Sequence, residues 1–102
     1  MRVRALPVYY SPTGFQKLTV SSSSVGFTLP TTLQTRAVIF TVEDAQCRMK
    51  VDGNAPTTTD GILLYVGDVV ELTNVDMINN FRAIRTTSTD ATFQIHYFGG
   101  GV

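Results

Sequence analysis

Tryptophan is absent from this chain of 102 residues, cysteine and histidine occur once each, and only 16% of the residues are charged. Each shortage removes a class of function. The lone Cys47 allows neither an intramolecular disulfide nor a cysteine-based zinc site, which excludes a disulfide scaffold. With His96 as the only histidine, a metal site of the cupin type lacks donors within one chain. A Ser-His-Asp triad has no nucleophile-elbow motif to support it, and His96 falls in mid-strand. The reading is therefore of a protein without catalysis and without a cofactor, a resident metal or a small-molecule substrate, in which His96 lies on the outer face of the last strand.

Nor is there a dense basic cluster interleaved with aromatics, and the pI is about 6.5, so nucleic acid is not an expected partner. No apolar run approaches the length needed to cross a bilayer, and MRVRALPVYY lacks an apolar signal-peptide core. These features predict a soluble protein that folds in a reducing cytoplasm and has no membrane partner.

What the chain does have is hydrophobic content of 43% and polarity carried by Ser and Thr, the composition of a single small β-rich domain. Six of the eight basic residues precede residue 51 and six of the eight acidic ones follow it. That split hints at complementary packing between copies, unless the halves interleave and cancel within one fold.

From Arg36 onward the pattern is one of short strands. RAVIFTV is β-branched and aromatic without a polar interruption, as in a strand buried on both faces, and Glu43 and Asp44 end it. QCRMKV alternates, with Cys47, Met49 and Val51 inward and Arg48 and Lys50 in solvent or at a contact. GILLYVGDVVEL predicts strands over 62–66 and 69–72 joined at Gly67 and Asp68 by a hairpin or a tight corner. NVDMINN is turn-rich with room for one helical turn. FRAIRT reads as a strand, and TFQIHYF sets Phe93, Ile95 and Tyr97 against Gln94 and His96.

Before Arg36 the signal weakens. MRVRALPVYY reads as an edge strand or an extended arm, SSSSVG as a flexible or turn-forming tract, and LPTT as an interruption. The expected fold is an all-β antiparallel sandwich, jelly-roll-like, with an extended N-terminal arm. Residues 1–35 supply the arm and first strands and residues 36–102 the sandwich body, in one domain overall.

The ten residues DGNAPTTTDG, 52–61, are the densest polar feature. Asp52, Asn54 and Asp60 gather oxygen donors suited to calcium, but the spacing is not that of an EF-hand and no bidentate Glu follows. Turn chemistry accounts for the same residues: Asp and Asn bond their own backbone, Gly53 and Gly61 supply positive φ, and Pro56 fixes the crossing. Tyr9, Tyr10, Tyr65, Tyr97 and Phe98 offer stacking surface for a carbohydrate-binding module, though each also fits a core or an interface.

Taken together, RAVIFTVEDAQCRMKVDGNAPTTTDGILLYVGDVVEL followed by FRAIRTTSTDATFQIHYF resembles a pattern in small virion proteins of tailed bacteriophages. It comprises a strand with an arginine-rich end, a DG-x-x-PT-x-x-x-G loop, a Gly-Asp turn before an apolar strand, an FRAI-like strand and a last strand ending in aromatics. The resemblance covers residues 36–98. It implies a structural component of the virion, made in the bacterial host cytoplasm: a capsid decoration (cement) protein, or a neck or tail accessory protein. Its partners would be the major capsid protein and copies of itself, as a homo-oligomer for which analogy favours a homotrimer. Candidate contact residues are Arg2, Arg4, Val8, Tyr9, Tyr10 and Phe15 in the N-terminal part, and Asn54, Pro56 and Thr57 in the loop.

Overall fold

The computed structural model describes residues 10–31 and 33–100. Its seven strands are β1 (Ser11–Val20), β2 (Thr35–Glu43), β3 (Cys47–Lys50), β4 (Ile62–Leu64), β5 (Val69–Leu72), β6 (Arg82–Arg85) and β7 (Ala91–Gly99), with one helical turn, α1 (Val75–Asn80), before β6. They form two antiparallel sheets, one of order β1-β7-β2-β5 and the other of order β4-β3-β6. The all-β sandwich predicted from the alternating runs is what the chain forms.

The core lies between the sheets because the strands alternate as read. β7 turns Phe93, Ile95 and Tyr97 inward, where they meet Val38, Phe40 and Val42 of β2 and Cys47 and Met49 of β3 in one buried cluster. RAVIFTV departs from its reading on one side. Ile39 and Thr41 are only half-buried, because among the described residues no further layer covers that face of β2.

At Glu43 and Asp44 the strand ends, as the acidic pair implied, and the chain leaves the long sheet for the short one. Asp44 takes a positive φ of 73°, the Ala45 amide donates to the Glu43 carbonyl at 2.9 Å, and the Thr92 hydroxyl donates to the Asp44 carboxylate at 2.7 Å. The Gly-Asp step is the corner rather than the hairpin, since β4 belongs to the short sheet and β5 to the long one. Its strand also stops earlier than read, at Leu64, which leaves Tyr65 and Val66 exposed on the bend. The Asp68 carboxylate accepts from the Tyr65 amide at 2.8 Å and pins that bend. NVDMINN forms the single helical turn, capped by the Asn74 side chain, which accepts from the Asp76 and Met77 amides at 2.9 and 3.1 Å.

The N-terminal part differs most from its sequence reading. Ser11–Val20 is a full edge strand of the long sheet, paired along its length with β7. Pro12 and Gly14 flank a register shift rather than end the strand, which an edge position tolerates. The serine tract that follows is bent, in keeping with the turn-forming of its two readings, and hydrogen-bonded to β6. The Ser21 carbonyl accepts from the Arg85 amide at 3.0 Å, and Arg82 donates to the Ser24 carbonyl at 2.8 Å and to its hydroxyl at 2.9 Å. Val25 then makes a two-way backbone bridge to Ala83, so the segment serves as a rudimentary fourth member of the short sheet. Two residues on, Phe27 enters the gap between the sheets. Its ring stacks on Phe81 at a centroid distance of 4.1 Å and meets Phe40 and Tyr97 edge-on at 5.9 Å each.

Candidate interaction surface

Loop 52–61 joins β3 to β4 and is tied down by hydrogen bonds at both ends and from beneath. The Asp52 carboxylate accepts from the Asn54 amide at 3.0 Å, an arrangement that also holds the acid below the usual carboxylate range. At the far end the Thr57 hydroxyl accepts from the Asp60 amide at 2.9 Å, and the Thr57 amide donates to the Asp60 carbonyl at 3.0 Å. From beneath, Arg48 donates to the Thr58 carbonyl at 3.1 Å and to the Gly61 carbonyl at 2.8 Å. Gly61 has a φ of 132°, and a Cβ there would stand 2.9 Å from the Met49 carbonyl oxygen. Only glycine fits that crossing.

Pro56 is buried under this arrangement, with its ring near the Gly61 backbone, whereas Asn54 and Thr57 are exposed on the loop. Of the three loop candidates, Pro56 and the Thr57 hydroxyl shape the loop, and Asn54 and Thr57 are solvent-exposed. Beside the loop lies an open, mainly apolar cavity of about 240 Å³ lined by Met49, Lys50, Val51, Asp52, Gly61 and Ile62. Lys50 and Asp52 approach each other to 3.8 Å there, and Ile62 is 56% exposed.

Among the N-terminal candidates, Arg2, Arg4, Val8 and Tyr9 lie outside the described residues. Tyr10 is half-buried where β1 begins. Phe15 is on the outward face of β1, exposed, with its ring 5.1 Å from that of His96. The fold thus separates the two groups of candidates, placing Phe15 on the long sheet and the loop on the short one.

The groups with chemical potential are spent on structure or packed against rings. His96 is exposed and contacts Phe15 and Phe98. Among the described residues no Ser hydroxyl or Asp carboxylate hydrogen-bonds to it. Cys47 is fully buried, and burial, with the Asp68 carboxylate adding to it, pushes the thiol up to about 12, so it stays protonated at neutral pH. No group of three His, Cys, Asp or Glu side chains is near enough to share a metal ion among the described residues. Of the aromatics proposed for sugar stacking, Tyr97 and Phe98 are buried, Tyr65 is exposed on the corner, and Tyr9 lies outside the described residues.

Two arginines have structural roles that the sequence did not show, Arg48 having been read only as lying in solvent or at a contact. Arg48 and Arg82 hold the loop and the serine tract to the short sheet, and the signal for Arg48 was its outward position on β3, next to a loop rich in carbonyls. Compared with protein-family models, with curated proteins and with solved structures, the chain matches none.

Proposed function

We propose that the chain is a non-catalytic virion structural protein, a phage capsid decoration (cement) protein that braces the head by binding between subunits of the major capsid protein. The resemblance of residues 36–98 to small phage virion proteins motivates the reading. The observation that carries it is the bracing of the DG-x-x-PT-x-x-x-G loop, in which Arg48 fixes both Thr58 and Gly61 from beneath and the Thr57 hydroxyl holds the Asp60 amide, while Asn54, Thr58 and Thr59 are exposed. A surface ordered before contact loses little entropy on binding, which suits a brace acting through many weak sites. An exposed loop of amides and hydroxyls also suits a polar, uncatalysed contact.

Quantitative mass spectrometry of purified virions tests this. A stoichiometry in the hundreds per particle is expected. About a dozen copies or fewer would assign the chain to the neck or tail instead, and absence from the particle would overturn the virion reading.

A further inference from the structure

Asp-Gly occurs twice in the chain, at 52–53 and at 60–61, one pair at each end of the loop. In such a pair no side chain shields the glycine amide, and its nitrogen can attack the aspartyl carboxyl to close a five-membered succinimide ring. The sequence does not separate the two pairs, but the fold does. At the first, Asp52 and Gly53 are both exposed, and the nearest atom to a Cβ built on Gly53 would be Asn80 Oδ1 at 3.5 Å. The 3.0 Å bond from the Asn54 amide to Asp52 Oδ1 closes a small ring of atoms that contains both Asp52 Cγ and Gly53 N, so the carboxyl is folded back beside the nitrogen that attacks it. The other oxygen, Oδ2, lies 3.4 Å from Asn54 Nδ2 and 3.8 Å from Lys50 Nζ, two donors beside the oxygen that leaves.

At the second pair the backbone is fixed. The Asp60 amide donates to the Thr57 hydroxyl, the Asp60 carbonyl accepts from the Thr57 amide, and the Gly61 carbonyl accepts from Arg48. The Met49 carbonyl oxygen stands 2.9 Å from where a Gly61 Cβ would be. Ring closure turns the peptide between the two residues towards the side chain, and here that turn breaks the Thr57 and Arg48 bonds.

We propose that Asp52 is a site of spontaneous modification, isomerising through a succinimide to isoaspartate, and that the fold withholds the same reaction from Asp60. From the neutral acid, Gly53 N bonds to Asp52 Cγ and gives up its proton, the bond from Cγ to the hydroxyl breaks, and proton and hydroxyl depart as one water. Water then adds to either ring carbonyl. Opening at Cγ restores aspartate, whereas opening at the main-chain carbonyl leaves the chain running through Cγ with the α-carboxyl free. Mass and charge are unchanged, but the main chain is one carbon longer and the carboxylate that held the Asn54 amide is displaced. The end of the loop beside the cavity of Lys50 and Ile62 is thus the part that changes with age. This chemistry belongs to the loop itself and does not depend on what the chain binds.

The test is prolonged warming of the full chain at about pH 5, where a fraction of the carboxyl is neutral, followed by digestion and electron-based fragmentation, which distinguishes isoaspartate from aspartate at each position. A urea-unfolded sample sets the baseline and should convert both pairs at comparable rates. In the folded chain isoaspartate should accumulate at 52, with at least about tenfold less at 60, where hydrogen bonds must first break. Asp52→Glu should abolish the product at 52, since the larger ring closes poorly, and Arg48→Met should raise the product at 60. A folded chain that forms no isoaspartate at 52 while the unfolded one does, equal conversion at 60, or an Asp60 signal unmoved by Arg48→Met would each overturn the proposal.

Discussion

The two sheets hold themselves together differently. In the long sheet β1, β2 and β7 are nine or ten residues each and pair along most of their length, so backbone ladders and an alternating inner face suffice. The short sheet has three strands of three or four residues, too little ladder to stand alone. Side chains complete it: Arg82 ties in the serine tract, Arg48 the loop, and Phe27 and Phe81 fill the gap to the long sheet. Irregular segments are therefore as much a part of this half as its strands, and perturbing them should cost the short sheet first.

The largest effect is expected where the two halves meet. Phe81 is fully buried and touches Phe27, Phe40 and Phe93, so Phe81→Ala removes a ring that both sheets share. A loss of about 3–5 kcal/mol is expected in urea unfolding. A loss below about 1 kcal/mol would show that the sheets do not depend on this aromatic joint.

Alkali should act on both sheets together. Cys47 in the short sheet and Tyr97 in the long one are both pushed up to about 12, in each case chiefly by burial. Their ordinary values are 9.0 and 10.0. Both are acids that are neutral when protonated, so the unfolded chain releases their protons first. Stability should be insensitive to these groups below about pH 8 and fall from about pH 9 towards 12, by about 2 kcal/mol at pH 10. Cys47→Ala should remove most of that slope, measured as unfolding free energy against pH, and an unchanged slope would show that the thiol is not desolvated. For the same reason Cys47 should react with a thiol reagent only after unfolding.

Smaller effects separate the two clamps. Arg48→Met should cost about 1–2 kcal/mol, and amide exchange at Thr57 and Asp60 should quicken while β1 and β7 keep their protection. Arg82→Met should instead loosen the serine tract and the Val25 bridge. If either variant quickened exchange across both regions, the short sheet would be one cooperative unit rather than two independently clamped pieces.

The same contrast explains what was legible in the sequence. Period-two alternation announced β3 and β7 with the inward residues Phe93, Ile95 and Tyr97, and an unbroken β-branched, aromatic run announced β2, because both are local properties. β1 was obscured by Pro12, Gly14 and Lys17, all compatible with an edge strand, and an edge position is fixed only by a partner far away in the chain. Phe27 carried no local sign of its role, since its segment has no period and its contacts lie 13 to 70 residues away. In the loop, Gly53, Gly61 and Asp52 were readable from turn chemistry alone, whereas the Arg48 clamp needed the fold to bring its guanidinium beneath the carbonyls.

The smallest expected effect on folding concerns β1, where inward and outward faces lie three residues apart. Leu18 is 7% exposed and belongs to the core, whereas Phe15 is open to solvent on the other side of the strand. In dilute protein Phe15→Asp should therefore change the unfolding free energy by less than about 0.5 kcal/mol, the range of surface substitutions. Urea unfolding of the dilute protein measures this. A loss of about 2 kcal/mol or more would place Phe15 in the folding core and remove the distinction between the two faces of β1.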